Sequence, residues 1–482
     1  MATVTIVDPV SRIEGHMKVK VTIDTVNGRQ QVTDAQCTGT QFRGFETMLK
    51  GRAPKDASYL TQRICGVCPV SHGMAANLAL EQAAVVTAPT NGRLMRNLVL
   101  ASNFLQSHIL HFYLLTALDY VNGPDSAPWT PVWNVDLMRD SRLQQISNNF
   151  TTAVTMRRKA HEMGAIFGGR LPSPPSFQAG GITTKPTSTN IGLFRNYLNE
   201  MLQFIQYTYL PDVDLLASVY SDYKQIGKGH GNLMAYGVFD TVDSGSTKFL
   251  KRGLVYNSAP GTVQALSTAN IKEMVTYSWY DNATNNLNPA AGNTVTVDPA
   301  TKAAAYSWMK APRYSNAPFE MGPLARMWVN GDYRSGVSVM DRHQARAREA
   351  LKVATAMQDW LAQIAVGGAV INNLTVPVSK TGVGLTEAPR GGLGHWLNIS
   401  STGKIANYQI ITPTCWNASP KDTNGVRGPL EQALIGTPVT NATQPVEVLR
   451  VIHSFDPCLS CAVHVIRPEG TPVVVAQARS RA

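Results

Sequence analysis

Between residues 17 and 37 the chain alternates, with Lys18, Lys20 and Thr22 interleaved with Val19, Val21 and Ile23. A period of two marks a strand with one buried face, and Asn27-Gly28 is a strong hairpin turn joining it to a second strand. The preceding "TVTIVD" also reads as a strand. Residues 56–85 read as helical or turn-interrupted, with Pro69 breaking any continuous helix. Residues 92–120 are apolar nearly all round, the pattern of a helix buried on every side. Further helical patterns cover 193–222, with Pro211 kinking or dividing the run, and 341–366. Residues 281–305, rich in Asn, Pro and Gly, read as a long surface loop. No internal repeat appears. The pattern predicts an α+β fold, predominantly helical: one interwoven domain with long central helices and small peripheral sheets.

Composition changes little in that picture. Of 482 residues, 44% are hydrophobic and 16% charged, enough apolar material for a large core. The net charge of +11 is spread in ones and twos, "MRRKAH" at 156–161 being about the densest run. With no basic tract interleaved with aromatics, nucleic acid is not an expected partner. The start, "MATVTIVDPVSRIEGH", lacks the basic-then-apolar order of a signal peptide. No continuous apolar run approaches the ~18 residues of a membrane span. Export or membrane attachment would therefore come from a partner.

The cysteines carry more. Four of the six form two Cys-x-x-Cys pairs: Cys65 and Cys68 in "RICGVCPVSH", and Cys458 and Cys461 in "SFDPCLSCAVHV". A single pair fits half a zinc site, a redox dithiol, one side of an iron–sulfur cluster, or ordinary buried thiols. Zinc ribbons draw both pairs from one short unit, whereas these stand at opposite ends of the chain. A site closed by the whole fold points to function more than to a structural staple.

Both motifs resemble the signatures of the large subunit of nickel–iron hydrogenases, R-x-C-G-x-C-x-x-x-H and D-P-C-x-x-C-x-x-H. The resemblance continues in "DPVSRIEGH", "FRGFE", "QSHILHFY", "HEMGAIFGGR", "KAPRY", "GPLARMWV", "EAPRGGLGHW" and "ALIGTPV". Chain length and "QSHILHFY" look most like the branch that includes selenium-containing members, in which selenocysteine takes the position of Cys458.

The resemblance implies that all four cysteines bind nickel as thiolates, with Cys68 and Cys461 bridging to an iron that carries carbon monoxide and cyanide. Soft thiolates suit those metals. Pro389 and Arg390 would sit against the diatomic ligands, with Thr414 offering a hydroxyl to a cyanide. Heterolytic cleavage of H2 leaves a proton, for which the family suggests Cys458 as first acceptor and Glu14 as relay. Asp456 would stabilise Arg390 or its own loop. Glu46, the carbonyl of Ile410 and His464 would hold a third ion, Mg2+ (or Fe2+). His72, His108, His111 and His161 match family positions, and His108 and His111 read as core histidines. Departures fall at Arg170 and Ser173, where many relatives have Lys and His, and at Ser107, where some have Asp. Cys37 and Cys415 read as buried free thiols.

The resemblance also divides the chain into a domain of residues 1–464 and an extension, 465–482, that a maturation protease removes. No second cysteine set remains for electron-carrying clusters. Electrons would leave through an iron–sulfur small subunit to an acceptor such as a cytochrome. That partner implies a periplasmic or membrane-associated location, a cytoplasmic one being the other reading. The alternative function is a hydrogen-sensing protein on the same fold.

Overall fold

A computed structural model describes residues 2–123, 135–259 and 262–462. The alternating segment forms the antiparallel sheet β1 (Thr3–Val7), β2 (Met17–Val26) and β3 (Arg29–Gly39). Met17, Val19, Val21 and Ile23 of β2 are buried, while Lys20 is exposed. Asn27 and Gly28 take φ of 52° and 78°, the left-handed pair that a two-residue hairpin needs.

The run at 56–85 is interrupted as expected, into a short helix at Asp56–Thr61 and a longer one that opens at Pro69. Pro69 is the first residue of α1 (Pro69–Ala84), where a missing N–H costs nothing, and Cys68 caps it. Thr90–Leu110 forms α2, buried on nearly every face. Its continuation widens to a π-helical turn over His111–Thr116 and ends in a tight turn at Ala117–Asp119, which the sequence pattern did not show. Within the wide turn, His111 Nε2 donates to the His453 carbonyl at 2.6 Å. By length and hydropathy Thr90–Asp119 would pass for a membrane span, but 83% of its most apolar window is buried inside the protein.

Helix α3 (Phe150–Gly168) packs against α2. The run expected at 193–222 divides into α4 (Ser188–Phe204) and α5 (Leu210–Val219). The break is a π-helical turn at Ile205–Tyr209, just ahead of Pro211. The pattern at 341–366 is α6 (Val339–Ala362), whose N-terminal cap Ser338 accepts from the Asp341 N–H at 3.1 Å. A second antiparallel sheet, β4 (Thr381–Ala388), β5 (Gly391–Ile399) and β6 (Ile405–Ile411), lies against α1. A Cβ on Gly384 would fall 1.9 Å from the Ala75 carbonyl, so the strand and helix meet backbone to backbone. Then α7 (Val446–Ser454) leads into the second cysteine pair.

Several charged side chains enter this core in pairs, because an unpartnered buried ion would cost several kcal/mol. Arg326 reaches Glu349 at 2.7 Å and Glu387 at 2.9 Å, and Arg342 reaches Glu320 at 2.8 Å. The segment 281–305 keeps to the surface as expected, with few of its residues buried. It folds as a series of tight turns, and its Thr294 hydroxyl hydrogen-bonds the buried carboxylate of Glu46.

Candidate metal centre

Cys65 and Cys68 lie in the loop that ends at the start of α1, while Cys458 and Cys461 sit on one short turn after α7. Although 393 residues separate them, Cys65 Sγ lies 3.4 Å from Cys458 Sγ, and Cys68 Sγ lies 3.2 Å from Cys461 Sγ. All four sulfurs fall within 4.8 Å of one another and all four residues are buried. Among the described residues no other group of three or more His, Cys, Asp or Glu side chains is placed to share an ion.

Electrostatics separates the four thiols. Burial opposes charge on Cys65, but hydrogen bonds from Cys458, Cys461 and Cys68, and then the charge of Arg390, hold it well below the ordinary thiol range. Its sulfur also accepts the N–H groups of Val67 at 3.2 Å and Cys68 at 3.4 Å. Burial pushes Cys458 and Cys461 well above that range. One sulfur is thus readily anionic, and ionising the rest calls for cations in their midst. Four soft donors at this spacing fit thiophilic metals.

The second pair is seated by backbone contacts. The Leu459 N–H donates to the Glu14 carbonyl at 2.6 Å, and Glu14 bridges Cys458 in parallel register. A Cβ on Gly15, whose φ is +83°, would lie 2.4 Å from the Ser460 nitrogen, so the two segments touch directly. Thr414 Oγ1 accepts the Cys458 N–H at 2.9 Å, leaving its own O–H free to donate elsewhere. The Glu14 carboxylate is half-buried and meets the Gly66 N–H and the Ser460 side chain. Burial, and then the charge on Cys65, raise its pKa against the opposing Arg390, Gly66 and Ser460.

Pro389 and Arg390 form the turn between β4 and β5. Arg390 Nη2 stands 2.9 Å from Asp456 Oδ1, yet Nε and both Nη atoms make no hydrogen bond, nor do the Asp456 oxygens. Burial opposes the Arg390 charge, but Asp456 and then the cysteine sulfurs Cys458, Cys68 and Cys65 outweigh it. Buried donors left open beside four sulfurs suit small acceptor ligands at that spot.

Glu46 and Ile410 do meet, but through the N–H of Ile410, which donates to Glu46 Oε1 at 2.8 Å. Lys310 is close by, 3.1 Å from both Glu273 and Gln409. His464 lies outside the described residues, as does the extension 465–482. His72 is buried and joins His395 at 3.2 Å, which continues to the Tyr408 hydroxyl at 2.8 Å. His108 is buried against Glu349 at 3.3 Å. His161 is half-buried on α3, its Nε2 without a partner. Cys37 and Cys415 are buried, and the Thr412 hydroxyl donates to the Cys415 sulfur at 3.3 Å. Arg43, Thr294, Lys310 and Gln409 were not singled out from sequence, although Arg43 and Lys310 stand in the motifs "FRGFE" and "KAPRY".

Fold and site together define a metalloprotein whose soft-donor centre is closed by the two ends of one helical chain. The chain belongs to the nickel-dependent hydrogenase family, whose model matches residues 43–131 and 131–464, with a HoxL-like match over 3–42. It is 41% identical to the periplasmic NiFeSe hydrogenase large subunit of Desulfomicrobium baculatum, over 96% of this chain and 95% of that one. It is 33% identical to the uptake hydrogenase large subunit of Bradyrhizobium diazoefficiens, covering 98% and 97% of the two chains. The reduced Ni-Fe-Se hydrogenase of D. vulgaris Hildenborough superposes with a TM-score of 0.91 at 40% identity, covering 96% of this chain and all of that one.

Proposed function

We propose that this chain is the catalytic large subunit of a hydrogenase, cleaving H2 reversibly and heterolytically and passing electrons to an iron–sulfur small subunit. The observation that carries the reading is the convergence of Cys65, Cys68, Cys458 and Cys461 in a chain so similar to named hydrogenase large subunits. Those names do not favour the hydrogen-sensing alternative.

A nickel–iron group with carbon monoxide and cyanide ligands, bound by the four thiolates, would supply the electrophile that polarises H2 and the store for its electrons. The open N–H donors of Arg390 and the Thr414 hydroxyl would hold the cyanide nitrogens, with Pro389 walling the same pocket. Asp456 keeps the Arg390 guanidinium charged and oriented. Cys458 Sγ takes the proton. Glu14 carries it outward, because burial brings its proton affinity closer to that of the thiol. Glu46, the Ile410 carbonyl and His464 would bind Mg2+ (or Fe2+), a hard cation that prefers such oxygen-rich ligands.

The reading extends to the ends of the chain. Residues 1–464 form the mature domain, and a maturation protease removes 465–482, which intact-mass measurement on active protein tests. The small subunit places the enzyme in the periplasm, or at a membrane with a cytochrome as electron acceptor. The deciding experiment on the function itself is metal analysis of the purified complex with infrared spectroscopy. Nickel in amounts matching the chain, iron in excess of nickel because the small subunit brings its own, and cyanide and carbonyl bands are expected. Zinc alone without such bands would overturn the reading.

A further inference from the structure

Arg43 stands between the two cysteine loops. Its Nη1 donates to the carbonyl of Ile64 at 2.5 Å and to that of Ser460 at 3.2 Å, while Nη2 donates to the carbonyl of Arg63 at 2.9 Å. Ile64 immediately precedes Cys65, and Ser460 lies between Cys458 and Cys461. The guanidinium carbon rests 4.8 Å from the centre of the buried Phe45 ring, which fixes the plane of the fork. No carboxylate among the described residues forms an ion pair with Arg43, so its donors serve backbone carbonyls.

From this geometry we infer that Arg43 is a positioning residue, which sets the spacing between the two cysteine pairs by tying the backbone of one loop to that of the other. The second pair has other ties, and the Glu14 carboxylate also spans the two loops, meeting the Gly66 N–H and the Ser460 side chain. Thr414 holds the Cys458 N–H, and the Glu14 carbonyl holds the N–H of Leu459. Neither backbone tie reaches the carbonyls that flank Cys65. Arg43 grips those carbonyls and Ser460 with one rigid, planar group. Lysine has the charge but not the fork, so it cannot hold three carbonyls in one plane. A shift of the Ser460 carbonyl moves Cys458 and Cys461 together relative to Cys65 and Cys68. The consequence belongs to metal retention and ligand geometry more than to the fold.

The inference rests on the nickel–iron reading, and its test separates the two. Arg43→Lys and Arg43→Gln are compared with wild type in the complex with the small subunit. Both variants are expected to release nickel to a chelator about tenfold faster, the scale of losing a group that orients metal ligands. Their cyanide and carbonyl infrared bands should shift. The full-length chain purified without metal and oxidised with diamide should give several-fold less disulfide between the pairs, with disulfide within each pair maintained. Its thermal midpoint should stay near that of wild type. Unchanged release rates, bands and disulfide yields in both variants would overturn the inference. So would variants that fail to accumulate or melt far earlier, since Arg43 would then serve the fold. A wild-type complex without diatomic bands would end the functional reading instead, while the disulfide yields would still decide the role of Arg43.

Discussion

Arg390 Nη2 and Asp456 Oδ1 are held 2.9 Å apart without forming a hydrogen bond, both fully enclosed by protein. The pair keeps its charge balance and leaves the guanidinium edge available to a third party. Asp456 achieves this in a left-handed backbone conformation, φ +52°, two residues before Cys458.

Arg390→Lys should therefore keep the charge and lose the fan of donors. H2 turnover is expected to drop by about 10- to 100-fold at unchanged nickel content, the range for disturbing groups around metal ligands. Asp456→Asn should act on stability as well, because it leaves a buried guanidinium without its counter-charge, at a cost of about 3–5 kcal/mol. Denaturant unfolding, read beside turnover and nickel content, distinguishes the two effects.

Cys458→Ser should abolish turnover and lower nickel content, since an alcohol neither binds nickel comparably nor takes the proton. Thr414→Val leaves the nickel ligands intact but orphans the buried Cys458 N–H, which costs about 1–3 kcal/mol. Nickel assays on both variants check the contrast: low in the serine variant, near wild type in the valine one.

Glu14→Gln should leave the centre assembled while closing the proton exit. Gln retains the shape and hydrogen bonding and lacks the titratable proton. Para/ortho-hydrogen conversion is expected to survive and hydrogen/deuterium exchange with solvent to collapse. Solvent exchange near the wild-type rate would show protons leaving elsewhere.

Acid should destabilise the chain through its buried imidazoles. Burial, with Arg157 adding, lowers His161 from 6.5 to about 4. Burial, then His111 and Arg346, hold His343 well below the ordinary imidazole range. A depressed imidazole refuses in the folded state a proton that the unfolded chain accepts. The stability it confers is full above pH 6.5 and declines as pH falls towards 4. Denaturant midpoints should accordingly fall between pH 7 and pH 4. His343→Phe, which keeps a ring where neither nitrogen has a partner, should flatten that decline.

What was legible in the sequence was whatever depends on spacing along the chain. The hairpin at Asn27-Gly28, the all-round apolar helix after residue 90 and the two Cys-x-x-Cys turns are local patterns, and each formed. Pro211 marked where 193–222 divides, but the π-helical form of the turn ahead of it was not legible, because such a turn arises from packing and leaves no period in the residues. Nor was the role of Thr294: a loop of Asn, Pro and Gly reads as solvated until a distant carboxylate turns up beside it. Arg43 was visible as a letter in "FRGFE", but three backbone carbonyls are partners that no side-chain pattern records.

The span of 393 residues between Cys65 and Cys458 has a consequence for synthesis. Ribosomes deliver the second half of the ligand set long after the first. A chain that stalls, shifts frame or is cut in between carries two thiols and cannot hold the centre. Competence to take up the metal thus certifies that the chain was made at least as far as Cys461, since a copy broken off earlier lacks half of the thiols.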